Sequence, residues 1–179
     1  MTIQLVPFHS AHYEHVIKEI SDASFLMQWG GPMFHYPLTA KQLESYKATG
    51  DEPDASVRIY TAISETNDLP LGHIALGGID LENHSARIGK VLIAEKNRGM
   101  GFGHKMVNEM LTMGFHELCL HRISLGVFDF NIPAIKAYEN AGFQKDGLLR
   151  DVRRVGDAYW SLWEMSILEE EWRNLQKQK

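Results

Sequence analysis

The sequence predicts a mixed α/β fold of the α+β class, in which helices flank a central twisted mixed sheet of about six or seven strands. Apolar runs with strand-like alternation and stretches with helical spacing follow one another along the chain. The chain has 179 residues and shows neither an internal repeat nor a linker. We therefore expect one domain spanning residues 1–179.

The first half of the chain predicts four strands and two helices. A strand at residues 3–8 precedes a helix at 11–20, and Thr39 begins a second helix that ends at Gly50. The aromatic-rich stretch between these helices, residues 25–38, is predicted to be a loop. Three antiparallel strands follow, joined by turns at Asn67-Asp68 and at 80–84, and they cover residues 56–65, 69–80 and 86–94.

The second half predicts three helices and three strands. A helix at residues 101–118 carries an apolar stripe at helical spacing, which indicates core packing. A buried strand at 122–128 and a short helix at 131–142 follow, and Pro133 lies in the first turn of that helix. Two strands around a turn at Gly156-Asp157 and a charged terminal helix complete the order.

Composition argues against several classes of protein. The net charge of −5 disfavours nucleic-acid binding and mildly favours cationic partners such as amines or basic peptides. No apolar run approaches the roughly 20 residues that span a bilayer, and we recognise no signal peptide, so no membrane association is expected. The single cysteine, Cys119, cannot form an intrachain disulfide and suits a reducing cytoplasm.

The histidines do not predict a metal site. His9, His12 and His15 are spaced by three residues, so on a helix they spread over a wide arc instead of converging on one ion. The stretch from His116 to His121 is not a zinc-protease signature, because its second histidine follows the first by five residues and not four. We expect no metal.

Three alternating glycines, Gly99, Gly101 and Gly103, stand between a strand and a helix. Such a loop suits a phosphate, because backbone N–H groups point outward and the helix dipole favours negative charge. The loop lacks the Gly-Lys-Ser/Thr end of a P-loop, and it follows an antiparallel meander, not the first strand of a βαβ unit. Neither a P-loop nor a dinucleotide site is therefore predicted.

A second motif, NIPAIKAYENAGF at residues 131–143, follows the glycine loop. Together the two motifs resemble those of the GNAT superfamily of acetyl-CoA-dependent N-acetyltransferases. RGMGFG, at residues 98–103, matches Q/R-x-x-G-x-G/A, and the second motif matches N-x-x-A-I-x-x-Y-E-x-x-G-F. The resemblance covers nearly the whole chain and favours the ribosomal-protein and spermidine acetyltransferase (RimJ/RimL-type) branch. It implies a GNAT-type fold, acyltransferase activity and acetyl-CoA as co-substrate.

The resemblance also implies where coenzyme A binds. Backbone amides of six loop residues would hold its pyrophosphate: Arg98, Gly99, Met100, Gly101, Phe102 and Gly103. Pantetheine would pair with three residues of the preceding strand, namely Val91, Leu92 and Ile93. Gly89 suggests a bulge that opens the sheet beside them. Asn131 would contact the cofactor arm, and Lys136 would approach its phosphates.

Tyr138 corresponds to the tyrosine that faces the thioester sulfur as general acid in the family. Proton transfer from a phenol of pKa about 10 to a thiolate of pKa about 8.5 is uphill by about 2 kcal/mol. We therefore expect Tyr138 to hydrogen-bond the emerging thiolate and to pass its proton late. The alternative is a tyrosine that anchors a short helix in the core.

The general base is missing from its usual places. Family members often carry a glutamate at one of two strand positions, which here hold Arg87 and Gly126. The remaining candidates are Glu82, His84 and Glu44, each acting through water, and Glu82 is the one we take as catalytic. Attack is expected within one ternary complex, with strand amides near residues 91–93 stabilising the oxyanion and no covalent acyl-enzyme.

The acceptor side is predicted in the aromatic-rich stretch. Trp29 and Phe34 could hold an ammonium group by cation–π attraction, or they could instead plug the core. The acceptor is expected to be a small-molecule amine or a peptide N-terminus, and a polyamine, a protein N-terminus and an aminoglycoside are all left open. The vacant base positions also leave open a GNAT-fold acyl-CoA sensor that lacks activity. The apolar last strands would allow a homodimer.

Overall fold

The computed structural model describes residues 2–52, 54–66 and 68–177. In that part of the chain it has seven strands: β1 Ile3–Pro7, β2 Arg58–Ser64, β3 Pro70–Asp80, β4 Ser85–Ile93, β5 Arg122–Phe128, β6 Gln144–Val155 and β7 Ala158–Leu168. Six α-helices lie among them: α1 Tyr13–Glu19, α2 Ala23–Gly30, α3 Ala40–Ala48, α4 Phe102–Thr112, α5 Ile132–Asn140 and α6 Glu169–Gln176.

The strands form one mixed sheet in the order β1-β2-β3-β4-β5-β7-β6. β1 with β2, β2 with β3, β5 with β7 and β7 with β6 are antiparallel, whereas β4 with β5 is parallel. The parallel pairing covers residues 85–88 against 122–125. The predicted mixed sheet of six or seven strands is therefore confirmed.

The stretch predicted as a loop, residues 25–38, is instead largely helical. α2 occupies Ala23–Gly30, and a 3₁₀ turn at Gly31–Met33 follows it. The side chain of Asp22 caps α2 by accepting the Phe25 N–H at 2.8 Å. Gly31, with φ +65°, ends the helix in the left-handed region. The prediction was wrong because the glycine pair marks the end of a helix, not a loop.

Smaller differences occur at turns and helix ends. The first predicted helix begins at Tyr13, since residues 10–12 form a 3₁₀ turn. The helix predicted at 101–118 is α4, continued by a π-helical turn at Met113–Glu117. Asp68 has φ +54°, as a tight turn requires, while Asn67 lies outside the described residues. The turn at Gly156-Asp157 joins β6 to β7 as predicted.

The described residues form two compact units. The first unit comprises residues up to 77 together with 89–106. Its helices α1, α2 and α3 bury aromatic and aliphatic side chains, among them Phe8, Leu26, Trp29, Phe34, Leu43 and Tyr46. Thr39 caps α3 by accepting the Gln42 N–H. The prediction of a single domain over residues 1–179 stays a prediction.

The second unit comprises residues 78–88 and those from 107 onward. Ile123 and Leu125 of β5 are fully buried, and Phe115 packs against Trp172 of α6 with ring centroids 5.3 Å apart. Gly142, at φ +100°, follows α5 where a Cβ would lie 2.4 Å from Leu175. This close approach explains why the motif carries glycine there.

Candidate functional site

The glycine loop lies in the first unit, between β4 and α4. Gly99 and Gly101 have φ +77° and +79°, values that residues with a side chain adopt only at a cost. A Cβ built on either one would meet no heavy atom within 4 Å. Phe102 is buried and anchors the first turn of α4. The loop therefore presents open backbone at a helix N-terminus, as the sequence predicted.

Arg98 is fixed at the base of the loop. Its Nε–H donates to the carbonyl oxygen of Ile93 at 3.2 Å, and its guanidinium lies over the ring of Phe25 at 5.6 Å. Glu19 lies 4.0 Å from the same guanidinium and also accepts the Glu95 N–H at 2.7 Å. These contacts tie the loop to α1 and α2. Whether Arg98 also meets a phosphate stays a prediction.

The irregularity predicted at Gly89 lies one residue further on, at Lys90. Lys90 has φ +51°, which is uncommon for a residue with a side chain. The Trp29 indole N–H donates to its carbonyl oxygen at 2.9 Å, and its ammonium lies 5.0 Å from the centre of the Tyr46 ring. Burial lowers the pKa of Lys90 below its usual value. A strained residue therefore stands directly before the strand residues Val91–Ile93.

Trp29 and Phe34, the predicted acceptor residues, are buried in the core of the first unit. Their rings stack with centroids 5.3 Å apart and planes 10° from parallel. Phe34 also borders a surface pocket of about 330 Å³, whose other lining residues are Met33, His35, Thr39, Lys41, Gln42, Ser45, Tyr46 and Thr49. The two aromatic residues thus serve packing, and one of them also walls a pocket.

A buried polar pair, which the sequence did not indicate, joins the pocket residue Tyr46 to His73. The Tyr46 hydroxyl is 3.2 Å from His73 Nε2, and both side chains are buried. Burial lowers the pKa of His73 to about 3 and raises that of Tyr46. Within the described ranges, His73 Nδ1 has no hydrogen-bond partner. His73 is therefore a neutral core histidine at physiological pH.

The second motif lies in the second unit, on α5. Asn131 caps this helix, because its side chain accepts the Ala134 N–H at 3.3 Å. Tyr138 is only 8% exposed and packs edge-on against Phe143 with ring centroids 6.0 Å apart. Burial raises the pKa of Tyr138 above its usual value. Lys136 is exposed on the same helix.

Two of the three candidate bases, Glu82 and His84, belong to the turn between β3 and β4, and the third, Glu44, belongs to α3. Glu82 is exposed in the turn after β3, where its backbone N–H donates to Asp80. His84 Nδ1 lies 3.1 Å from the carbonyl oxygen of Cys119. Glu44, in the first unit, accepts the Tyr13 hydroxyl at 2.7 Å. None of these contacts bears on proton transfer, so the role of Glu82 stays a prediction.

A carboxylate that the sequence did not indicate, that of Glu164, lies beside the two positions where family members carry the base. Glu164 of β7 forms a two-pronged ion pair with Arg87 of β4, one bond of which, from Nη2 to Oε2, measures 3.0 Å. Glu164 also stands opposite Gly126 in the register of β5 and β7. A Cβ on Gly126 would lie 2.4 Å from Arg87 Nη2. The sequence feature that could have indicated Glu164 is that it is the one carboxylate in the otherwise mostly apolar strand β7.

Among the described residues, no three His, Cys, Asp or Glu side chains lie close enough together to hold a metal ion. Within the same ranges, every helix is too short or too polar to cross a membrane.

Comparison with known proteins places these features in a family. Residues 2–144 match the acetyltransferase (GNAT) domain. An uncharacterized N-acetyltransferase, p20 of Bacillus licheniformis, is 33% identical over 115 residues, 64% of each chain. The matched region thus spans just under two thirds of that relative. The spermidine N(1)-acetyltransferase of Vibrio cholerae is 31% identical over 104 residues, 58% of this chain and 60% of that protein.

Solved structures show the same fold. The crystal structure of spermidine N-acetyltransferase from Vibrio cholerae in complex with CoA and spermine superposes with a TM-score of 0.83 and 23% identity. The superposition covers 96% of this chain and 98% of that chain. The likeness therefore extends over almost the whole of both chains.

Proposed function

The chain belongs to the GNAT family of acetyl-CoA-dependent N-acetyltransferases, and we propose that it transfers the acetyl group of acetyl-CoA to a primary amine by direct attack in a ternary complex. The glycine loop carries this proposal, because its two left-handed glycines open the backbone at the N-terminus of α4. The family match over residues 2–144 supports it.

The loop fits the pyrophosphate of acetyl-CoA. Any side chain at Gly99 or Gly101 would occupy the open space in front of the backbone N–H groups, where a phosphate oxygen must approach. Arg98 adds a positive charge at the base of the loop. We assign the pyrophosphate to backbone amides of residues 98–103 and pantetheine to the strand at 91–93. Asn131 and Lys136 are proposed to contact the cofactor arm and its phosphates.

Acetyl-CoA supplies an activated thioester, so the protein must orient the acceptor, stabilise developing charge and manage two protons. Tyr138 is buried with a raised pKa, which makes proton release harder still. We therefore assign Tyr138 to hydrogen-bonding the leaving thiolate. Strand amides at 91–93 are assigned to the carbonyl oxygen. Both Tyr138 and Glu82 remain proposed catalytic residues.

The acceptor is proposed to be a primary amine of small-molecule or peptide type. The name of one relative, a spermidine acetyltransferase, supports a polyamine, while the acidic net charge of −5 suits any cationic acceptor. Trp29 and Phe34 are proposed to shape the acceptor side, Phe34 through the pocket of about 330 Å³ that it borders. A protein N-terminus and an aminoglycoside are the alternatives that the first experiment separates.

We further propose that residues 1–179 act as one domain in the cytoplasm and form a homodimer through the last strands. Exposed Leu148, Leu149 and Val152 lie on β6, which ends the sheet order. An edge strand with apolar side chains favours pairing with a second copy. Sedimentation of the wild type and of Leu149→Lys tests this, since a dimer through β6 should dissociate in the variant. A wild-type monomer would contradict it.

The activity is tested by thiol release from acetyl-CoA against spermidine, basic peptides and aminoglycosides, with calorimetric titration of coenzyme A alongside. Thiol release with one class of amine is expected, and it identifies the acceptor. The second candidate, an acyl-CoA sensor, is motivated by Arg87 and Gly126 at the usual carboxylate positions. It predicts tight coenzyme A binding with no transfer to any amine. Absence of binding would contradict both functions.

A further inference from the structure

Glu164 has no neighbouring side chain on either adjacent strand at its own position. Both of its cross-strand neighbours are glycines, Gly126 on β5 and Gly147 on β6. Cross-strand neighbours normally crowd a side chain at this spacing. A Cβ on Gly147 would meet no heavy atom within 4 Å, so no side chain fills the space on the β6 side of Glu164 at that position. Room for a ligand group therefore exists beside Glu164.

Arg87 fills the other side and fixes the carboxylate. Its two terminal nitrogens donate to the two oxygens of Glu164 in a two-pronged pair. The Glu164 side chain is 26% exposed and that of Arg87 is 44% exposed, so the pair is half-buried. A carboxylate has about four lone-pair sites, and Arg87 engages one on each oxygen. Glu164 can therefore accept further hydrogen bonds from a ligand.

The pair of Arg87 and Glu164 also lies where the parallel pairing of β4 with β5 ends. Arg87 stands opposite Ser124 in the parallel register of β4 and β5, which ends one residue later at Ile88 and Leu125. Glu164 is thus a carboxylate held at the end of a parallel ladder.

The neighbouring ion pair on β6 shows the contrast. Asp146 accepts from Arg122 at 2.8 Å through one oxygen and from the Ser166 hydroxyl at 2.8 Å through the other. Both partners belong to the protein, and Ser166 is buried beside it. The two oxygens of Asp146 thus bind two different protein donors, whereas Arg87 alone engages both oxygens of Glu164.

We propose that Glu164 receives the acceptor amine and takes its proton, with Arg87 as a positioning residue; this rests on the proposed acetyl transfer. As the new C–N bond forms and the C–S bond breaks, the proton of the attacking nitrogen passes to the Glu164 carboxylate. The sulfur leaves as a thiolate that Tyr138 hydrogen-bonds and takes a proton from solvent water, and Glu164 returns its own proton to solvent. Glu164 thereby supplies the base that the usual positions lack, and takes the role otherwise proposed for Glu82.

The test compares wild type, Glu164→Gln and the matched control Asp146→Asn, using the amine on which the wild type releases thiol fastest. In Glu164→Gln we expect kcat/KM to fall by roughly 10²-fold or more, as for loss of a general base, and the acid limb of the pH–rate profile to vanish. The affinity of that amine for protein saturated with coenzyme A, measured by calorimetry, should also fall. Asp146→Asn and the coenzyme A affinity of both variants should match wild type.

The charge swap Arg87→Glu with Glu164→Arg adds a rescue. The swap keeps the ion pair and moves the carboxylate to β4. Its kcat/KM should therefore exceed that of Glu164→Gln by at least about ten-fold. If Glu164→Gln does not fold, the swap alone tests the inference, because a folded but inactive swap contradicts proton transfer to the carboxylate of this pair. Wild-type kcat/KM in Glu164→Gln would overturn the inference but leave the proposed acetyl transfer standing. A wild type inactive with every amine would overturn the proposed function, and the inference with it.

Discussion

The indole N–H of Trp29 in α2 donates to the carbonyl oxygen of Lys90 in β4 at 2.9 Å, across 61 residues of sequence. Lys90 holds a left-handed backbone, with φ +51°. Such a conformation persists only where surrounding contacts fix it. The bond from Trp29 and the contact of the Lys90 ammonium with the Tyr46 ring provide that fixation. The core of the first unit therefore sets the start of the strand proposed to bind pantetheine.

Replacing Trp29 by Phe tests this relationship. The variant keeps a ring against Phe34 but leaves the Lys90 carbonyl without its donor. Because an unsatisfied buried acceptor is costly, the free energy of unfolding in urea should fall by about 1–3 kcal/mol. Amide exchange at residues 91–93 should quicken as well. Trp160→Phe, at a half-buried site in the other unit, is the control and should leave exchange at 91–93 unchanged.

Most elements could be predicted from local patterns. The strand at Arg122–Phe128 and the hairpin turn at Gly156-Asp157 were located correctly because each is bounded by strong turn or charge signals. Helix α2 was missed because aromatic residues and a glycine pair suggested a loop. The decisive signal was Asp22, a capping residue placed three residues before Phe25.

The site was predictable only where its residues are close in sequence. The glycine loop follows from a motif of adjacent residues. The Arg87 and Glu164 pair joins residues 77 positions apart, and it depends on strand register. No spacing rule within a single sequence gives that register. The left-handed Lys90 was missed for a related reason, since its tertiary partners hold it there.

Gly101→Ala should impair coenzyme A binding beyond its effect on stability. A side chain at φ +79° costs about 1–2 kcal/mol of unfolding free energy. The new methyl group would also stand before the amides proposed to hold the pyrophosphate, so the affinity for coenzyme A should fall at least about ten-fold. Calorimetric titration gives the affinity, and urea unfolding gives the stability.

Gly156→Ala is the matched control for this change. Gly156 has φ +60°, and its Cβ would also meet no heavy atom within 4 Å, but it lies in the hairpin turn after β6. It should show a similar loss of stability with unchanged affinity for coenzyme A. Equal affinities in the two variants would place the pyrophosphate elsewhere.

Tyr138→Phe should lower turnover without weakening coenzyme A binding. The ring contact with Phe143 is kept, whereas the hydroxyl proposed to stabilise the thiolate is lost. Loss of one such donor reduces kcat by about 10²-fold or more. Thiol-release kinetics measure the effect, and Tyr159→Phe, an exposed tyrosine in β7, should behave as wild type. An undiminished kcat would assign Tyr138 to packing alone.

The raised pKa of Tyr138 also predicts a pH dependence in the wild type. Burial disfavours the phenolate, so the phenol keeps its proton above its ordinary pKa of 10.0. The contribution of the neutral phenol to the free energy of unfolding is complete below pH 10.0. It is lost as the pH rises above that value, because Tyr138 then ionises in the unfolded chain but not in the folded one. No alkaline fall in kcat below about pH 10 should therefore come from Tyr138. A fall that disappears in Tyr138→Phe would contradict this.

His73 should make the protein less stable in mild acid. Its pKa is lowered from 6.5 to about 3, chiefly by burial, with further lowering from Lys90, His12 and His15. Below pH 6.5 the unfolded chain takes up a proton that the folded chain refuses, so the free energy of unfolding falls as the pH drops toward 3. One such group contributes a slope of up to about 1.4 kcal/mol per pH unit. Urea unfolding between these two pH values measures the effect.

In His73→Gln the unfolding free energy should change less steeply with pH than in wild type. Some slope should remain, because the pKa of His12 is also lowered, to about 4. His121→Gln, at an exposed position, should keep the wild-type slope. Equal slopes in all three proteins would show that His73 is charged in the folded state.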